Sequence, residues 1–428
     1  MHYSRPLSGS FFLLIVLFFS CKKDHTPPPP PVIVYDSQHI SLNFPASQIY
    51  QQSNPYPSYS SYELIISETG GRVVLDTITS FNVPVVTWLK TNQSLLDVTT
   101  VRNWATTGAY LIHSYKAIDL SGWVNIPDND SAQPLSGGTT LPPPVTGLMT
   151  YAHVNVPYGS YYNVLAGGRA DVRQSNGTAF MWGGYNASPG DYAYLIFPTL
   201  GLFNVHRIVG STDTVDLSRP DTCATVTFNR SSLYKTSGFT IAGYPDSTDL
   251  LHTVQLTYYS ALGAAINDAG NMVYPGKKNF QKYTFSYFVS DGVNNNYASV
   301  NLPFADRIPD VVSAPDPSWY TISLSSDTAV TTNFTGHTPT YYNVTTHMGS
   351  NQFTLTVRGD STLVRPVDFY ASLNSKWLAG QNYHTMVMDN IYLLTDEEPD
   401  YQIYWKKHTS IYKEFTPGSA NMTYQRHF

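Results

Sequence analysis

The sequence predicts an all-β protein built from tandem β-sandwich domains, immunoglobulin-like or jelly-roll-like, with little helix. Three observations carry that expectation. Runs of strand length recur along the chain, separated by turn residues at the spacing of a β-sandwich. Residues that suit a pleated, half-buried surface are abundant, with 33 tyrosines and 14% aromatics in 428 residues. Helix formers are scarce, because charged residues make up only 13% of the chain and no glutamate lies between Thr69 and Asp396. An ordinary globular chain carries about 25% charged residues.

Residues 1–20 read as a signal peptide. Ten residues with one firm positive charge, Arg5, precede nine apolar residues, Phe11 to Phe19, and then Ser20. Nine residues span only ~14 Å as a helix, about half a bilayer core, so the run is too short for a transmembrane anchor. Cys21 follows directly, and Pro27 to Pro31 form a polyproline tract that rises ~3.1 Å per residue. Residues 21–31 are therefore expected to be a short, stiff tether.

The stretch FFLLIVLFFSCKKD, Phe11–Asp24, resembles the lipobox of bacterial lipoproteins. In that family leucine usually stands three residues before the cysteine. Here Phe18 holds that place, Leu17 lies one residue further out, and Ser20 supplies the small residue. The resemblance covers about the first two dozen residues and implies cleavage before Cys21, diacylation of its thiol and acylation of its new amino group. Several acyl chains at ~0.8 kcal/mol per buried CH2 hold a protein on a membrane far more firmly than one. Lys22 in place of aspartate implies the outer membrane, with the body either periplasmic or surface-exposed.

Residues 32–133 read as an N-terminal β-sandwich. The runs 63–67 and 72–76 flank Thr69-Gly70-Gly71, a hairpin turn in which glycine permits positive φ. Strands are expected again at 84–90, 95–101 and 110–118. The segment YELIISETGGRVVLDTITSFNVPVVTWLKTNQSLLDVTTV looks like the small β-sandwich modules that follow the lipid anchor in bacterial surface lipoproteins. Residues 134–144, with SGGTTLPPP, form a Gly/Pro linker.

A second β-rich domain is expected over 145–310 and a third over 311–428, with a proline-containing acidic stretch, 308–318, between them. Within 145–310 strands are read at 149–156, 161–165, 170–174, 192–197, 203–209, 224–228, 239–242, 253–259 and 280–289. In FQKYTFSYFVS, Tyr283, Phe285, Tyr287 and Val289 alternate with other residues, the signature of a half-buried strand. A short helical turn is expected within 260–270. The last segment reads as strands at 320–324, 341–346, 352–357, 367–370, 386–394 and 401–406. Tyr161-Tyr-Asn-Val164 and Tyr341-Tyr-Asn-Val344 start similar strands and hint at duplicated sandwiches.

Net charge of −6 and the lack of a Lys/Arg cluster give no electrostatic footprint for nucleic acid. With Cys21 lipidated, Cys223 has no intramolecular partner, so packing rather than a disulfide framework must stabilise the fold. Cys223 has no His or Lys beside it in sequence to lower its pKa, and it reads as a structural bystander. For metal, His337 and His347 are ten residues apart, an even spacing that suits one strand face, but no third ligand accompanies them. Asp128-Asn-Asp130 and Asp246-Ser-Thr-Asp249 offer oxygen ligands for a structural Ca²⁺ without the order of a built calcium loop. No other cofactor is implied.

A glycosidase needs two facing carboxyls, and with glutamate so scarce they would have to be aspartates such as Asp191, Asp213, Asp216 or Asp246. Glu397-Glu398 within TDEEPD read as an acidic turn. GxSxG and phosphate-cradling glycine loops are missing from the sequence. One stretch stands out for binding: FMWGGYNASPGDY holds Trp182, Tyr185 and Tyr192 among glycines. As a loop it presents flat aromatic faces to a glycan or peptide. Alternatively Trp182 and Tyr192 are inner-face sandwich residues and Gly183-Gly184 a β-bulge.

The functional expectation is a membrane-anchored extracytoplasmic lipoprotein with a binding or structural role. Its partners would be the membrane through Cys21, a glycan or peptide, and other subunits of a surface assembly. A glycosidase-like hydrolase with an Asp-based site, and an adhesin or pilus-like subunit, are the alternatives.

Overall fold

The computed structural model describes residues 36–44, 61–104, 108–127, 149–154, 161–166, 169–174, 179–182, 192–197, 200–207, 209, 212–216, 219–247, 254–256, 271–276, 280–292, 296–326, 329–409 and 421–428. It is all-β, with two α-helices among these residues. The first strands are Ser37–Leu42 (β1), Tyr62–Glu68 (β2), Val73–Thr79 (β3), Val85–Lys90 (β4), Leu96–Trp104 (β5) and Ala109–Ile118 (β6). Then come Met149–Val154 (β7), Tyr161–Ala166 (β8), Arg169–Gln174 (β9), Ala179–Trp182 (β10), Tyr192–Phe197 (β11), Leu202–Arg207 (β12) and Thr212–Asp216 (β13). Asp221–Thr222 (β14), Ala224–Asn229 (β15), Thr236–Tyr244 (β16), Val254–Gln255 (β17), Asn271–Tyr274 (β18), Lys282–Ser290 (β19) and Asn296–Ala305 (β20) follow. The last are Val311–Ser313 (β21), Tyr320–Ser326 (β22), Ala329–Phe334 (β23), Tyr341–Met348 (β24), Asn351–Arg358 (β25), Leu363–Val364 (β26), Val387–Asp396 (β27) and Asn421–His427 (β28).

One sheet of twelve strands runs through the molecule in the order β17-β16-β19-β20-β28-β27-β24-β25-β6-β5-β2-β3. Strands from near both ends of the chain meet in it. The junction is β6 against β25, a parallel pairing of Leu111 with Gln352 through Tyr115 with Thr356. The Tyr110 N–H donates to Asn351 Oδ1 at 2.9 Å at the start of that seam.

The hairpin of β2 and β3 turns as the sequence predicts. The Gly71 N–H donates to the Glu68 carbonyl at 2.8 Å, and Gly71 holds a φ of +88°, open to glycine at little cost. A second glycine is needed for space. A Cβ at Gly359 would lie 1.5 Å from the Pro339 carbonyl oxygen, so no side chain fits between these backbones.

Alternation decides which core each strand feeds. In β2, Tyr62, Leu64 and Ile66 enter one apolar cluster, whereas Ile65 enters another on the opposite face. The first cluster is roofed by β1 and β4, which pair antiparallel and turn Ile40, Leu42 and Leu89 inward. The result is a sandwich over β2, β5 and β6. The second cluster is the larger. In β19 the expected alternation is borne out: Tyr283, Phe285, Tyr287 and Val289 are buried. Phe228 of β15, from a different sheet, stacks on Tyr287 with ring centroids 4.5 Å apart.

Two segments expected to be strands are helices. Residues 367–370 lie in the helix Pro366–Ser372 and residues 401–406 in the helix Tyr401–Thr409. Pro366 opens the first, where its fixed φ suits a helix and its missing N–H costs nothing. The second is capped by Asp400, whose Oδ1 accepts the Gln402 and Ile403 N–H groups at 2.8 and 2.9 Å. Its buried residues Tyr401, Tyr404 and Trp405 join the N-terminal core rather than a sheet. The helical turn expected within 260–270 lies outside the described residues, as do the tether and the 134–144 linker.

Candidate functional site

The outer face of the β1–β4 layer carries the best-defined aromatic surface. Because Ile40, Leu42 and Leu89 point inward, the intervening His39, Ser41, Val86, Trp88 and Lys90 point outward and are exposed. Trp88 is 65% exposed, an unusual state for the largest side chain. His39 lies directly across the ladder and meets it edge-on, with centroids 4.9 Å apart and planes at 63°. The contact takes up only part of the indole, most of whose surface stays exposed. Ser37 opposite Lys90, and Ser41 opposite Val86, flank the pair. Hydroxyls and an ammonium therefore border a flat apolar centre, an arrangement that serves stacking with hydrogen bonds around it.

Of the residues named from sequence, Tyr192 begins β11 and is 44% exposed. Trp182 ends β10, whose backbone pairs with β7 through Trp182 and Met149. These strands belong to different sheets, β10 with β7 and β13, β11 with β12 and β8. The Trp182 side chain, Tyr185 and Cys21 lie outside the described residues. Asp213 and Asp216 fall on β13, and Asp246 follows β16. Asp128, Asp130, Asp191 and Asp249 also lie outside.

The two histidines part company. His347 is on β24 with Nδ1 2.5 Å from Asp389 Oδ1, whereas His337 lies in a loop against Trp319, centroids 4.8 Å apart. Among the described residues no group of three metal-ligating side chains comes together. Glu398 is part of a turn, as expected: its N–H donates to Asp396 Oδ1 and its carboxylate accepts from the Asp400 N–H. Cys223 is half-buried against the large core, and burial pushes its thiol up to about 12, far from a reactive thiolate.

One buried carboxyl, Asp97, has its pKa raised above the ordinary 3.8 by desolvation, although Lys116 opposes that shift. Asp97 is closed in by the Lys116 ammonium at 3.6 Å and by the Ala117 N–H, which donates at 2.8 Å. It is 2% exposed and already paired with Lys116, and among the described residues no group of three metal-ligating or carboxylate side chains gathers around it.

No protein-family model matches the chain, and no curated protein matches it. A crystal structure described as a candidate adhesin from Bacteroides ovatus covers 60% of this chain and 74% of its own at 11% identity. Its TM-score is 0.12, and the similarity carries no argument about fold or function.

Proposed function

We propose that this protein is a lipid-anchored extracytoplasmic binding protein of the outer membrane, and that the Trp88–His39 surface holds a glycan. The observation that supports the reading is the outward, His39-braced indole of Trp88 in a face bordered by Ser37, Ser41 and Lys90. Pyranose rings carry C–H faces that stack on such a ring while hydroxyls at the sugar edge reach the flanking polar groups. An aromatic gives this contact area with only two rotatable bonds, so little entropy is lost on binding. Tyr192 supplies a second exposed aromatic surface, and with Trp182 and Tyr185 it remains part of the proposal as a further contact region for glycan or peptide. The anchor rests on the lipobox resemblance at Cys21.

The test is a glycan and peptide binding screen of the full chain in detergent micelles. Retention of a glycan class supports the proposal. Retention of peptides alone, or of no ligand, overturns the glycan assignment. The anchor is tested separately. Cys21→Ala is expected to shift the protein from the membrane fraction to the soluble fraction with its melting temperature unchanged. A variant that stays in the membrane fraction contradicts lipidation at Cys21.

A further inference from the structure

The outward face of β1 and β4 consists of three cross-strand rungs, Ser37 with Lys90, His39 with Trp88, and Ser41 with Val86. None of the six residues is an acid, and the fixed positive charge lies on the first rung alone. Lys90 is exposed, and among the described residues no carboxylate pairs with its ammonium. Lys116 and Lys376 differ in this respect, because their ammonium groups already hold Asp97 at 3.6 Å and Asp76 at 3.0 Å.

Two acids border the Lys90 end, and both are committed elsewhere. The Glu68 carboxylate accepts Arg72 Nε–H at 2.9 Å and the Thr91 hydroxyl at 2.7 Å. Arg72 Nη2 also donates to the Lys90 carbonyl at 3.1 Å, so Glu68 and Arg72 neutralise each other beside the strand end. Asp36, the residue before β1, has an interaction of its own. The face therefore offers one unneutralised cation, in a chain whose net charge is −6.

Position along the strand gives this charge a direction. Lys90 stands two residues from Trp88 on the same face, a step of ~7 Å. A sugar ring seated on the indole thus brings a group at its edge within reach of the flexible ammonium. At the opposite end Ser41 and Val86 supply a hydroxyl and an apolar surface without charge.

We propose that the glycan held on Trp88 is acidic, built from rings that carry a single anionic group, a uronic carboxylate or a sulfate ester. The anionic edge lies at the Ser37–Lys90 rung and the C–H face on the indole. This inference rests on the Trp88 reading and names the ligand class for the same surface.

The test is a set of affinities for matched oligosaccharide pairs, measured on the full chain in detergent micelles. Oligomers of galacturonic, glucuronic and mannuronic acid are each compared with their methyl esters, and sulfated galactans with their desulfated forms. The charged member is expected to bind about three- to fivefold more tightly, the range for an exposed ion pair. That preference should disappear in about 0.5 M salt, where exposed charges are screened. It should also be lost in Lys90→Gln, with the melting temperature unchanged. Trp88→Ala, by contrast, should weaken both members of a pair. Equal or tighter binding of the uncharged members, or a preference that persists in Lys90→Gln, overturns the acidic assignment and leaves the Trp88 reading standing. Retention of neither member of any pair, nor of any other glycan, overturns the Trp88 reading and this inference with it.

Discussion

Glu63→Leu is expected to cost the fold on the order of 3–5 kcal/mol, because each lost hydrogen bond to a buried charge is worth ~1.5–3 kcal/mol. Glu63 lies in β2 with none of its surface exposed. Its carboxylate accepts the Ser375 hydroxyl at 2.7 Å, the Lys376 N–H at 2.6 Å and the Trp377 N–H at 3.2 Å. Ser375 in turn accepts the Leu378 N–H at 3.1 Å, so one carboxylate organises the whole loop after the Pro366–Ser372 helix. Lys376 adds a bond from Nζ to the Asp76 side chain at 3.0 Å. Leucine fills the space but leaves the donors facing hydrocarbon. Glu63→Gln should cost less, since one carbonyl oxygen remains while its amide NH2 meets a donor. Urea unfolding curves of the two variants check both the size and the order. A loss under 1 kcal/mol for Glu63→Leu would mean that the loop satisfies itself elsewhere.

Trp405→Ala is expected to cost a similar amount, ~3–5 kcal/mol, the range for large aromatics removed from a core. The indole is 3% exposed and lies 5.0 Å from Tyr115, 5.2 Å from Tyr341 and 5.0 Å from Tyr404, centroid to centroid. Tyr115 belongs to β6 and Tyr341 to β24, so the one side chain closes a core that two distant parts of the chain share. Around it Tyr401 donates to the Lys116 carbonyl at 3.0 Å, Gln402 Nε2 to the Ala117 carbonyl at 2.6 Å, and the Asn125 N–H to the Thr409 carbonyl at 3.1 Å. Hydrogen exchange should therefore rise in β2, β5 and β6 as well as in the helix itself. Exchange that rises only in the helix would show that it decorates the sandwich without supporting it.

These two residues also mark where sequence reading reaches its limit. The β19 alternation and the β2–β3 turn were legible because the period of 2 and the glycine turn are local signals. The Tyr401–Thr409 helix was not, because Tyr401, Ile403, Tyr404 and Trp405 have the composition of a strand. Its readable signs were Asp400 at the cap and Lys406-Lys407-His408 in the last turn, where cations suit the helix dipole. Pro366 gave the same kind of sign for the other helix.

The pairing of β6 with β25 depends on residues such as Tyr110 and Asn351, 241 positions apart, and no local pattern reports it. Glu63 carries no local mark of its role, because its loop partners lie more than 300 positions away. For the candidate site, the strand at 84–90 was legible but its outward face was not. Alternation says that Val86 and Trp88 share a face, and only the layer beneath β1 and β4 decides which face meets water.

Trp405 thus reports on the fold and Trp88 on the proposed binding surface. The direct measurement is a titration of the full chain and of Trp88→Ala with the glycan that the screen retains, alongside urea unfolding of both. Trp88→Ala is expected to lower affinity at least about tenfold, ~1.4 kcal/mol. Its unfolding free energy should stay within about 0.5 kcal/mol, as for other exposed positions. Unchanged affinity in Trp88→Ala would contradict the aromatic surface as the binding site.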